Sequence, residues 1–226
     1  SYLASHKNET RDFTIKKNMV AVISDGSAVL GLGNIGPEGA LPVMEGKAML
    51  FRELADVDAF PIVLSTQEVE GIIETVKNIA PGFGGINLED IAAPKCFEVE
   101  RRLIQDLDIP VVHDDQHGTA IVVLAALINA FKVAQKSLLD SKIVIVGAGA
   151  AGTGVARILV EYGITNILVV DSRGIISDKR QDLNFNKKVL ANSTNPNHIN
   201  GNLSEAVSGA DVVVGLSTGG RGKITS

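Results

Sequence analysis

The chain has 226 residues, 45% of them apolar, and a formal net charge of −5. That length allows one large or two small domains with a sizeable core, and the acidic balance argues against a nucleic-acid partner. The single cysteine, Cys96, leaves no intrachain disulfide and suits a cytoplasmic protein; no apolar run reaches spanning length and the first residues lack a signal-peptide core, so no membrane is expected.

Residues 1–18 mix charges without a clean period and read as an arm or a short helix. Met19-Val20-Ala21-Val22-Ile23-Ser24 is a buried strand candidate closed by Asp25-Gly26. The glycine-rich run from Val29 to Pro37 lacks the Lys-Ser/Thr ending of a P-loop, so it reads as a tight turn where backbone meets backbone. From Glu38, apolar residues Leu41, Met44, Ala48, Phe51 and Leu54 recur at helical spacing, and Lys47 among them reads as an ordinary solvated lysine. Strands at 60–64, 83–88 and 109–112 alternate with helices at 67–80 and 94–107 and a long helix entered near Gln116 and running through 118–136. That alternation predicts an α/β unit whose parallel sheet is covered on both faces.

Two of these strands close on paired acids. Glu89-Asp90 follows one; Asp114-Asp115, within His113-Asp114-Asp115-Gln116-His117-Gly118-Thr119-Ala120, follows the other. Adjacent carboxylates between buried elements are costly unless something neutralises them. Ligands of open α/β sheets bind at the carboxyl ends of strands, and a hard cation such as Mg²⁺ takes carboxylate oxygens. The alternative is that each pair caps the helix after it. His113 and His117 stand at the i, i+4 spacing of zinc ligands, but only if both lie on one helix, and the residues between them read as a strand-to-helix turn.

The domain boundary is placed near residue 130, giving units 1–130 and 131–226. In the second, a strand at 142–146 runs straight into Gly147-Ala148-Gly149-Ala150-Ala151-Gly152; a helix at 155–162 and a strand at 166–170 ending in Asp171 follow. A G-x-G-x-x-G run between strand and helix, with an acid 19 residues after its third glycine, is a dinucleotide-binding arrangement of the Rossmann type. Gly147, Gly149, Ala150, Ala151 and Gly152 bring backbone to the pyrophosphate at the helix N-terminus. Asp171 would accept from the adenosine ribose hydroxyls, which favours NAD; Ser172 and Arg173 could hold a 2′-phosphate and keep NADP open. Residues 174–200 are polar and stay unplaced. A short helix at 203–207 and a strand at 210–216 lead to Ser217 and Thr218, a loop able to touch the dinucleotide. Three strands are fewer than such a sheet normally has, so this second parallel-sheet domain looks incomplete.

Five motifs in order resemble the malic enzymes of the short prokaryotic type. They are Val22-Ile23-Ser24-Asp25-Gly26-Ser27-Ala28-Val29-Leu30-Gly31-Leu32-Gly33, Gly36-Pro37 with Ala40-Leu41-Pro42-Val43-Met44-Glu45-Gly46-Lys47, Asn87-Leu88-Glu89-Asp90-Ile91, the His113–Ala120 stretch, and Gly147–Gly152. The resemblance implies oxidation of L-malate with NAD or NADP, decarboxylation to pyruvate and CO₂, a requirement for Mg²⁺ or Mn²⁺, and a homodimer or higher homo-oligomer whose partners complete each other's sites. It assigns Lys47 as the base that takes the C2 hydroxyl proton, Glu89, Asp90 and Asp115 as metal ligands, and Asp114 as the acid supporting the lysine. The family's proton-donating tyrosine lies in a Tyr-Ser/Thr-Pro-Gly-Val motif, which does not occur here, and Tyr2 lacks that context. The family's later asparagine motifs would follow Ser226. Ala28 stands where longer eukaryotic members carry a substrate arginine, which fits the short subtype. A metal-independent dehydrogenase of the amino-acid type and a non-catalytic dinucleotide-sensing module are the competing readings.

Overall fold

Short helices α1 (Tyr2–Ser5) and α2 (Thr10–Phe13) lead into the first strand in a computed structural model that describes residues 2–217. Strand β1 (Met19–Ser24) is followed by α3 (Gly36–Ala55), β2 (Asp58–Val63), α4 (Val69–Ile79), β3 (Gly85–Leu88), α5 (Lys95–Asp106) and β4 (Val111–His113). These strands form a wholly parallel sheet in the order β2-β1-β3-β4. Ala21, Val22 and Ile23 of β1 are fully buried, as expected of an apolar run covered on both faces. Helices α4 and α5 supply Ile72, Val76, Val99 and Leu103 to the same core.

The chain divides into two compact units, 1–114 and 115–226. The division falls earlier than the expected boundary near residue 130. The reason is helix α6 (Asp114–Ala134), which starts directly at the end of β4 with no turn between. Its Ala120, Leu127 and Phe131 pack into the core of the second unit with Leu159 and Ile143. By length and average composition α6 passes for a helix able to cross a bilayer, although polar residues such as Asn129 and Lys132 interrupt its apolar run.

In the second unit, β5 (Ile143–Val146), α7 (Ala150–Glu161), β6 (Ile167–Asp171), β7 (Gly174–Ile175), α8 (Phe185–Ser193), α9 (Leu203–Val207) and β8 (Val212–Gly215) follow α6. The sheet order is β7-β6-β5-β8, with β5 parallel to both neighbours and β7 antiparallel to β6. The described residues thus hold four strands in this sheet where the sequence pattern gave three. Strand β7 is two residues long, too short to carry a period, and the pairing Asp171↔Gly174 makes Ser172 and Arg173 its hairpin turn. The unplaced stretch also holds α8, whose N-cap Asn184 accepts from the Lys187 backbone N–H at 3.0 Å.

Candidate functional site

Strand register builds the acidic site. Leu88 of β3 pairs with His113 of β4. Glu89 and Asp114 are the next residue of each strand, so parallel pairing brings two carboxylates to the same end of two adjacent strands. Lys47 arrives from α3. Ala40 and Met44 are the fully buried residues of that helix, and Lys47 continues the same i, i+4, i+7 face. Its Nζ lies 2.7 Å from Asp114 Oδ2 and 3.1 Å from Glu89 Oε2. The lysine side chain is only 22% exposed, so the solvated lysine expected from its residue type is instead a half-buried, doubly paired cation.

Glu89, Asp114 and Asp115 each offer a carboxylate oxygen within 4.8 Å of the others. Such an all-oxygen, anionic donor set suits a hard divalent cation. The trio takes in Asp114, which the family resemblance makes a support for the lysine. Asp90 is not one of the three, although the family resemblance groups it with Glu89 and Asp115. It is 4% exposed and holds a left-handed backbone at φ 55°. Burial, then the Glu89 charge, pushes its carboxyl up to about 6. For Lys47, burial by itself favours the neutral amine. The Asp114 hydrogen bond and the charges of Glu89 and Asp114 outweigh it, so the ammonium is held above the ordinary lysine range. His113 lies in β4, fully buried, while His117 lies in α6, so the two do not share the helix that a zinc pair would need.

A second set of residues, given no role in the site by the sequence, fixes the acid-bearing loop. Asp25 is fully buried and its carboxylate sits 2.5 Å from Lys95 Nζ. It also accepts from the Ser27 hydroxyl at 2.6 Å and the Ser27 N–H at 3.0 Å. Ser27 Oγ in turn accepts from the Ala92 N–H at 2.9 Å, and Ala28 N–H donates to the Asp90 carbonyl at 2.9 Å. The loop after β1 therefore clamps the loop after β3, just past Glu89. The signal was Asp25-Gly26 itself, which reads in sequence only as the end of a strand. Gly26 has φ 66°, and a Cβ there would run into the Gly36 carbonyl, so the glycine-rich run is the close backbone turn that was expected.

In the second unit, a cleft of about 600 Å³ opens at the carboxyl ends of β5 and β6. Of the residues chosen from sequence, Gly147, Gly149, Asp171 and Ser217 line it. Ala150 and Ala151 lie in the first turn of α7, whose N-cap Gly149 has no side chain to take the leading N–H groups. Those donors suit an anion. Gly152 has a packing role: a Cβ there would run into the Gly147 carbonyl oxygen, so only glycine lets α7 sit against the end of β5. Gly147 has φ 120°, and a Cβ there would stand 2.6 Å from the Leu216 carbonyl of the loop after β8. These glycines and the uncapped turn fit a dinucleotide pyrophosphate. Thr218, the last of the residues chosen from sequence, lies outside the described residues. Asp171 closes the cleft at the β6 end, but its carboxylate is already held by Arg180 and Lys187.

Two family models match the chain: "Malic enzyme, N-terminal domain" over residues 2–104 and "Malic enzyme, NAD binding domain" over residues 116–225. The chain is 55% identical to an NAD-dependent malic enzyme of Geobacillus stearothermophilus, over 96% of this chain and 46% of that protein. It is 48% identical to an NADP-dependent malic enzyme of Halomonas elongata, over 91% of this chain and 48% of that protein. It superposes with a TM-score of 0.94 on a crystal structure of an NAD-dependent malic enzyme from Thermotoga maritima, at 50% identity, covering 100% of this chain and 59% of that one. The chain thus spans about half the length of the curated relatives it matches.

Proposed function

The chain belongs to the malic enzyme family, and from that premise we propose that its protein oxidises L-malate with NAD or NADP and decarboxylates the product to pyruvate and CO₂, with a divalent cation at the acidic cluster. The observation that carries this reading is the Lys47 ammonium held between Asp114 and Glu89 at adjacent strand ends. A lysine so placed acts as a base only after it loses its proton, and neutralising the carboxylates around it is what would lower its pKa.

Glu89, Asp114 and Asp115 offer the oxygens that would hold the cation, and Asp90, the neighbour of Glu89, would join them as the family resemblance implies. When bound, the cation supplies a Lewis acid for the hydroxyl, carbonyl and carboxylate oxygens of the substrate. When bound, the dinucleotide supplies the hydride acceptor. Neutral Lys47 takes the proton of the C2 hydroxyl as the hydride leaves C2. Asp114, 2.7 Å from Nζ, orients the lysine and stabilises the ammonium that results. The clamp of Asp25, Ser27 and Lys95 holds the Glu89–Asp90 loop against the loop after β1, which limits the freedom of those donors.

The test is malate-dependent reduction of NAD and of NADP by the full-length protein, with Mn²⁺ and with EDTA, alongside a pyruvate assay. Reduction that requires malate and metal and yields pyruvate supports the proposal. An undiminished rate in EDTA would move it to a metal-independent dehydrogenase. Nucleotide binding with no malate-dependent reduction would favour a dinucleotide-sensing module.

A further inference from the structure

Gly154 lies in α7, two residues past the third glycine of the G-x-G-x-x-G run, so approach to a pyrophosphate does not account for it. Its backbone is ordinary helix, where glycine is less stable than alanine. The reason for glycine is space. A Cβ at Gly154 would stand 2.4 Å from the Gln116 carbonyl oxygen and 3.0 Å from the Gln116 Cα. The obstacle is backbone, in the first turn of α6 and one residue after Asp115. Both residues belong to the second unit.

The contact begins a buried face that runs on along α6. Gln116 and Ala120, one turn apart, are 1% and 2% exposed. Ala120, Leu127 and Phe131 carry that face into the core that holds Val155, Ala156 and Leu159 of α7. The two helices are not held equally. Gly152 seats α7 on the end of β5, and Val155, Ala156 and Leu159 are fully buried. In the first turn of α6, Asp114, Asp115, Gly118 and Thr119 are half-buried and His117 is exposed. A side chain at position 154 would therefore displace that turn rather than α7. Ordinary contact starts at 3.4 Å, so the displacement is about 1 Å. Asp115 rides on the turn, and its carboxylate is one of the three that stand within 4.8 Å of one another.

We propose that Gly154 is a positioning residue for the cation: it lets the first turn of α6 seat against α7, and that seat aims the Asp115 carboxylate at the oxygens of Glu89 and Asp114. This rests on the metal reading of the acidic cluster. Gly154 acts through Asp115, which makes the contact with the cation. Residues that orient a metal ligand without touching the metal are worth about 10- to 100-fold in metal affinity, and a misplacement of about 1 Å is enough to spoil a site built on fixed geometry.

The experiment is calorimetric titration of the full-length protein with Mn²⁺ alone and, separately, with NAD and with NADP. Gly154→Ala should weaken Mn²⁺ by about tenfold or more and leave dinucleotide affinity unchanged. Leu159→Ala, farther along α7 in the same core, is the control for a merely structural role: it should lower the melting temperature and keep the natural Mn²⁺ affinity. In steady state with malate, the half-saturating Mn²⁺ concentration should rise in Gly154→Ala with little change in kcat at saturating metal. If Gly154→Ala does not fold, Ala120→Val, one turn past Gln116 on the buried face of α6, wedges the same helix from its own side and should weaken Mn²⁺ likewise. Natural Mn²⁺ affinity in these wedge variants, an equal loss in Leu159→Ala, or a loss of dinucleotide affinity in Gly154→Ala overturns the inference and leaves the metal reading standing. A natural protein that binds no Mn²⁺ overturns both.

Discussion

Asp114→Asn should make Lys47 easier to deprotonate. The substitution keeps the shape of the side chain and removes a negative charge 2.7 Å from the ammonium. At an effective dielectric of about 20, Coulomb's law gives roughly 6 kcal/mol for that separation. Solvent reaches the Asp114 side chain, which is 36% exposed, so screening brings the attraction down to about 2 kcal/mol, the range of a charge-assisted hydrogen bond. A change of 1.36 kcal/mol is tenfold in a protonation equilibrium, so the neutral fraction of Lys47 at a fixed pH should rise by about thirtyfold. The assay is trace acylation of the metal-free protein at mildly alkaline pH. Only the neutral amine reacts, and mass spectrometry of the Lys47 peptide reads its rate against the other lysines. Glu89→Gln should act in the same direction, because Glu89 is farther, at 3.1 Å, but drier, at 10% exposed. Unchanged or slower labelling of Lys47 in both variants would refute the view that these carboxylates hold the ammonium, and with it the idea that neutralising them switches the base on.

Asp115→Asn should lower Mn²⁺ affinity by at least about 100-fold while leaving NAD binding intact in the same calorimetric series. Wild-type Mn²⁺ affinity would remove Asp115 from the ligand set. With the Asp90 carboxyl pushed up to about 6, Mn²⁺ affinity should fall as pH drops through about 6, because only the carboxylate binds. The same raised value means that the metal-free folded state holds this proton more tightly than the unfolded chain, so the stability it contributes is present at low pH and is lost as pH rises from about 4 to about 6. Denaturant titrations of the metal-free protein at those two pH values test the sign, and a rise in stability from this group would contradict it. Gly152→Ala should destabilise the second unit by about 3 kcal/mol, since the new methyl runs into the Gly147 carbonyl. Thermal unfolding reads this directly, and a melting temperature unchanged from wild type would mean that α7 does not need the close approach.

Much of the fold is legible as local pattern. Apolar runs such as 19–24 and 143–146 are strands because both faces are buried, and their order with helices dictates a parallel sheet. The glycine spacing after β5 announces a backbone-lined turn, because only residues without a Cβ tolerate the approaches at Gly147 and Gly152. The errors lie where local pattern has no grip. Strand β7 is too short to show a period, and α6 is one helix whose apolar residues serve the second unit's core, so the boundary falls at its first turn rather than near residue 130.

The sequence by itself determined the two α/β units, the two acidic pairs and the glycine turn, because each is written in neighbouring residues. Tertiary structure alone decided how their charges are used. Lys47 meets Glu89 across 42 residues and Asp114 across 67, brought together by a strand register that no local window contains. Asp171 reads in sequence as a free ribose acceptor. The fold fills it with Arg180 and Lys187 from the stretch that had no pattern. A charge's partners are set by distance in space, and its protonation follows from them.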